Sequence, residues 1–155
     1  MTKDDSETIV DRTGHAWSVA ELEARVSLYE PNIVMIREVP NTTAEIFAVM
    51  VEKARELGAS QDGPFGVLMD LTEATARPDS DMMRVIMAAT ESMGVHWAAV
   101  PPGSLMFKTL LKFVTQRVAR LKNNSIHTNR EEAAARIRQA LAAHPGARAS
   151  LKWSC

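Results

Sequence analysis

The residues of this chain most suited to chemistry gather around one short stretch. Asp70 and Glu73 precede it, and Asp79, Ser80 and Asp81 form it. The spacing puts them on either side of a strand–helix junction, and ligands of parallel sheets bind beyond such carboxyl ends of strands. Grouped carboxylates there could act as a general acid or hold magnesium. Helix capping and dipole compensation account for Asp79 and Asp81 without any ligand. The other chemical signals are sparse. His15, His96, His127 and His144 fall in no HxH, HxxxH or HExxH spacing that would set two on one helix face, so no metal site is expected. They read as surface or half-buried histidines with ordinary hydrogen bonds. There is no GxSxG, and the single cysteine is the terminal Cys155. The glycines of Asp62-Gly63-Pro64-Phe65-Gly66 precede a strand, whereas phosphate loops follow one. No catalytic residue and no cofactor is expected.

A second group of residues suggests binding rather than reaction. Lys108, Lys112 and Arg120, flanked by Arg117 and Lys122, line one face of an expected helix, opposite Phe107, Leu110, Leu111, Val114, Val118 and Leu121. Basic amphipathic helices meet acidic partners, anionic membranes or phosphates, and they also serve as plain solvated faces. Few aromatics interleave, so nucleic acid is not expected. Met82, Met83, Met87, Met93 and Met106 cluster in and beside the second and third helices. Methionine is adaptable packing and recurs at binding surfaces, so either a core or a Met-lined apolar cavity fits.

At 155 residues the chain has room for one domain of ordinary size. Its 46% hydrophobic and 24% charged residues exclude wholesale disorder. One cysteine excludes an internal disulfide framework. The start lacks a signal-peptide pattern and no run approaches the ~18 apolar residues of a membrane span, so a cytoplasmic protein is expected. The net charge of −1 hides a split: 8 basic against 17 acidic residues up to Glu91 (−9), and 10 against 2 from Ser92 on (+8). Such asymmetry can mark a basic surface for an acidic partner, or two halves that neutralise each other in one fold.

The elements that must position these residues follow from pattern. Residues 1–20 are polar and read as a partly ordered arm, 21–143 as the domain, and 144–155 as a tail. Two β-rich runs, 24–29 and 33–39, flank the turn Glu30-Pro31-Asn32. Thr42 with Glu45 reads as a capping box for a helix that buries Phe47, Met50, Val51 and Ala54. Residues 65–71 are apolar on both faces, which predicts a central strand. Asp79 or Ser80 caps a second helix with Met82, Ile86, Ala89 and Met93 inward. A strand to Val100, a helix over 104–123, a strand at Ser125-Ile126-His127 and a helix burying Ala134, Ile137 and Leu141 complete the order. Strands alternating with helices predict an α/β fold. It has a mixed, mostly parallel sheet, about four helices and an opening antiparallel hairpin.

This order, with Val67-Leu68-Met69-Asp70-Leu71 followed by Asp79-Ser80-Asp81-Met82-Met83, resembles the STAS domains, in particular the SpoIIAA-like group that includes anti-anti-sigma factors. The family pattern is an apolar strand ending in Asp/Asn-Leu, then Asp-Ser-Ser-Gly-Leu opening a helix. Asp81 and Met82 stand here in the places of the second serine and the glycine. The resemblance implies a STAS-like fold and a non-enzymatic regulatory module. Ser80 would be the phosphorylated serine, and the partner a kinase-like anti-sigma factor or a second copy of the chain. The broader SpoIIAA-like group, likened to lipid-binding domains, implies the alternative of a carrier or sensor of an apolar small molecule or lipid. Binding candidates on either reading are Asp70, Asp79, Asp81, Met82, Met83, Lys108, Lys112 and Arg120.

Overall fold

The computed structural model describes residues 7–75, 79–103, 109 and 123–144. The stretch read as an arm is built into the fold from Thr8 on. Strands β1 (Thr8–Val10) and β2 (Ala16–Ser18) pair antiparallel and lead into a short helix, α1 (Val19–Glu23). Asp11 ties their turn. Its carboxylate accepts the Thr13 N–H (2.8 Å), the Thr13 hydroxyl (2.7 Å) and the Trp17 indole N–H (3.2 Å). Ser18 and Glu21 cap α1 reciprocally.

Strands β3 (Val26–Glu30) and β4 (Ile33–Arg37) form the expected hairpin, with Asn32 at φ 67°, a conformation asparagine tolerates. Helix α2 (Ala44–Ala59) is capped by Thr43, whose hydroxyl accepts from the Ile46 N–H at 3.2 Å, and not by Thr42. Asn41, at φ 58°, turns the chain so that Thr42 is buried and its side chain bonds to Glu38. Strand β5 (Gly66–Asp70), helix α3 (Ser80–Ser92), strand β6 (Trp97–Val100), strand β7 (Asn124–Ile126) and helix α4 (Arg130–Ala143) follow. Asn129 caps α4 through the Glu132 N–H (2.9 Å). The expected helix over 104–123, with Lys108, Lys112 and Arg120, lies outside the described residues apart from Thr109 and Asn123.

The five strands run in the order β3-β4-β5-β6-β7, with β3 antiparallel and the others parallel. All five residues of β5 are buried and both its neighbours are strands, as its two apolar faces predict. Strand alternation divides the core. Val34, Ile36, Val67 and Met69 join Leu22 of α1, Phe47 and Met50 of α2, and Met82 and Ala89 of α3 on one face. Ile33, Met35, Leu68, Ala98 and Val100 meet Ala133, Ala134 and Ile137 of α4 on the other. Helix α4 lies so close to β5 that a Cβ on Gly66 would overlap the Ile137 side chain.

Candidate functional site

Strands β4 and β5 end side by side, since Arg37 and Asp70 are register partners, and Glu38 extends the ladder with its N–H on the Asp70 carbonyl (3.0 Å). Three connections converge beyond this end: the β1–β2 turn, the β4–α2 loop and the β5–α3 loop. Arg12 binds all three together. Its backbone N–H donates to the Asn41 carbonyl (3.1 Å), its Nε to the Thr42 carbonyl (2.7 Å) and its Nη2 to Asp79 Oδ2 (2.7 Å). Thr75 adds a reciprocal pair with Asn41: it accepts the Asn41 N–H (3.2 Å) and donates to Asn41 Oδ1 (3.0 Å). Arg25 holds the same loop by a fork onto Glu73 (3.0 and 3.4 Å) and packs against the Trp17 ring, 5.5 Å from its centroid.

Asp70 is the anchor beneath these loops. It is buried, and both its oxygens are engaged. Oδ1 accepts the Thr72 N–H (2.9 Å) and hydroxyl (2.6 Å), and Oδ2 accepts Arg130 Nε (2.8 Å). Burial pushes its pKa up, but the Thr72 bonds and the Arg130 guanidinium outweigh that and hold it below the usual value. Its role is to fasten the start of α4 to the sheet. Glu38 is the opposite case. Only 3% exposed, it accepts the Val39 N–H (3.0 Å) and bonds Thr42. Burial raises its pKa to about 7 against the opposing pull of Thr42, Val39 and Arg25.

The Asp79–Met83 segment divides by function. Asp79 is the N-cap of α3, accepting the Met82 N–H at 2.8 Å; that bond and Arg12 lower its pKa. Ser80 is therefore not the cap. It is the first residue of α3, exposed, and its hydroxyl makes no hydrogen bond among the described residues. Asp81 is exposed and faces Arg84 at 3.7 Å. Met82 is buried in the core and Met83 half-buried. The structure thus brings Asp79, Ser80, Asp81 and Met83 to one surface and commits Asp70 and Met82 to the interior.

Glu38, Arg12 and Arg25 escaped the sequence reading. Glu38 carried a signal, a lone carboxylate inside the apolar run from Ile33 to Val39. Arg12 and Arg25 carried none, since their partners lie 67 and 48 residues away. Among the described residues, no three His, Cys, Asp or Glu side chains group as metal ligands, and no helix is long and apolar enough to cross a membrane.

No family model matches the chain, and no curated protein or solved structure matches it either.

Proposed function

We propose that the chain is a STAS-like regulatory module, which presents the start of α3 to a protein partner and is switched at Ser80. The observation that carries this reading is the division of labour between Asp79 and Ser80. Asp79 performs the capping, so the Ser80 hydroxyl is left exposed and without a hydrogen bond among the described residues. The setting also suits a phosphate. Free N–H groups at the start of a 13-residue helix favour an anion. Arg12 already neutralises Asp79 and stands ready to be shared with a group adding about −1.5 to −2 charges. Such a transfer would loosen the Arg12 bridge between the β1–β2 turn and the α3 cap, carrying the change from one residue to three loops.

The test is capture of a partner by the full chain, followed by quantitative binding of Ser80→Ala and Ser80→Asp. Ser80→Ala should bind as the wild type and Ser80→Asp at least tenfold more weakly. Wild-type affinity in both variants would remove Ser80 from the function.

A further inference from the structure

On the opposite face of the sheet, two imidazoles meet one hydroxyl. Ser125 lies in the middle of β7, opposite Ala98 of β6, and Ala98 belongs to the core beneath α4. Strand alternation puts His127 on the same side as Ser125, and His96 on the same side as Ala98. His96 Nε2 lies 2.7 Å and His127 Nε2 2.6 Å from Ser125 Oγ. A serine hydroxyl has a single proton, so only one ring can accept it; the other ring must donate its own N–H to the oxygen. One imidazole therefore draws the proton off, while the second steadies the charge left on oxygen. A nucleophile and a base in hydrogen-bond reach are the basic unit of covalent catalysis.

The surroundings assign the roles. Burial keeps both rings neutral and able to take a proton. It lowers His96 to about 4, with Arg136 and His127 adding to the effect, and it lowers His127 against the pull of Glu132. Glu132 favours the imidazolium of His127, whereas no carboxylate acts on His96. His127 is thus the better base and His96 the donor. Arg136, half-buried on α4, acts on both rings and pairs with no carboxylate among the described residues. A guanidinium that acts on both rings and has no carboxylate partner among the described residues favours an electrophile that carries a negative charge. Ser125 and His127 are half-buried rather than sealed, and β7 is the last strand of the sheet among the described residues.

We propose that Ser125 is a nucleophile activated by His127, which accepts acyl groups from carboxylate-bearing esters. This goes beyond the Ser80 reading and rests on different residues. In the step, Ser125 Oγ bonds to the ester carbonyl carbon as its proton passes to His127 Nε2. The carbon–oxygen bond to the alcohol then breaks, and the alcohol leaves with the proton from His127. Water repeats the sequence on the acyl-serine and returns the free acid, so no oxidant, reductant or metal is consumed.

The probe is the 4-nitrophenyl monoester of terephthalic acid, whose ring holds its carboxylate away from the ester, with 4-nitrophenyl benzoate as its uncharged counterpart. Wild-type chain should release one equivalent of nitrophenolate in a burst, faster for the terephthalate ester, and peptide mass mapping should place the carboxybenzoyl group on Ser125. Acylation should fade toward acid pH as His127 protonates. Ser125→Ala and His127→Gln should lose the adduct with the circular dichroism spectrum unchanged. Ser125→Cys should regain an adduct as a thioester, which guards against a folding artefact. Arg136→Gln should lose the preference for the charged ester. No adduct on Ser125 in folded wild-type chain, or an equal rate in His127→Gln, would overturn the proposal.

Discussion

At the carboxyl ends of the strands the polar groups are charged and come in pairs: Arg12 with Asp79, Arg25 with Glu73, Arg130 with Asp70. Along the β6–β7 edge lie two neutral imidazoles on one hydroxyl, with a guanidinium acting on them that has no acid partner among the described residues. The first arrangement uses its charges to hold three loops and a helix in place. The second holds little together, because its three side chains lie in or directly beside adjacent strands that the sheet already pairs. Paired charges near a core act chiefly as fasteners, since breaking one strands its partner. A hydroxyl between an accepting and a donating imidazole is arranged as the proposed nucleophile requires. The comparison sets the fastening role of the charged end against the chemistry proposed for the neutral edge, while the exposed Ser80 at the rim of the charged end has no fastening role among the described residues.

The largest effect that could break this comparison is at Arg130. Asp70 is 4% exposed and has Arg130 as its only cation among the described residues. Arg130→Ala should lower unfolding free energy in urea by roughly 3 to 5 kcal/mol, the usual cost of orphaning a buried charge. The denaturant slope should stay unchanged. Replacing both partners, Asp70→Asn with Arg130→Met, should recover most of the loss, because no buried charge is then left alone. A small loss in the single variant would show that Asp70 is better solvated than its burial implies, and would return it to the binding candidates.

How much of this was legible beforehand follows from the range of each interaction. The strand of residues 66–70 and the hairpin at Asn32 are local patterns, and the structure has them where the sequence puts them. Helix caps were legible only to within a residue. Thr42 reads as the cap from its spacing to Glu45, but tertiary packing draws Thr42 inward to Glu38 and Thr43 caps instead. Asp79 and Ser80 were likewise open, and the ion pair with Arg12 favours Asp79. The clamp itself was not legible, since Arg12 and Arg25 reach partners that only the folded sheet brings near. The His–Ser–His group was half-visible: Ser125 and His127 alternate on one strand, but His96 is 29 residues from Ser125.

The two regions should also respond to pH with opposite sign, and this is the next largest effect. Glu38 has its folded pKa raised from 4.5 to about 7. Below 4.5 it is protonated whether the chain is folded or not; as pH rises toward 7 the unfolded chain ionises first, so stability is lost with rising pH. His96 has its pKa lowered from 6.5 to about 4. There the unfolded chain takes the proton first, so stability is lost as pH falls below 6.5. Between about pH 4.5 and 6.5 the two slopes oppose each other, and the wild type should vary little. Glu38→Gln should unmask the histidine slope and lose stability toward acid. His96→Gln should unmask the carboxyl slope and lose stability toward neutrality. Each swing should be on the order of 3 kcal/mol, since a tenfold difference in proton affinity between the folded and unfolded chain is worth about 1.4 kcal/mol. Urea midpoints at half-unit steps from pH 4.5 to 7.5 would decide it. A wild-type slope unchanged in Glu38→Gln would mean that Glu38 is ionised in the fold and held by Arg25.

The smallest expected effect sharpens the comparison most, because it separates neighbours in sequence. Asp79→Ala removes the N-cap of α3 and the anchor of Arg12 at once, so the melting temperature should fall by a few degrees. Ser80→Ala removes a hydroxyl that bonds to nothing described, at a helix position where alanine is at least as good, so stability should stay within about 0.5 kcal/mol. A matching loss in the two variants would show that Ser80 shares the cap, and its hydroxyl would then have the structural task that the proposed switch denies it. No loss in Ser80→Ala, together with a drop in Asp79→Ala, leaves a serine that folding does not require. That is the condition the proposed switch at Ser80 sets: the residue to be modified can change without cost to the fold, while Arg12 is held one residue away on Asp79.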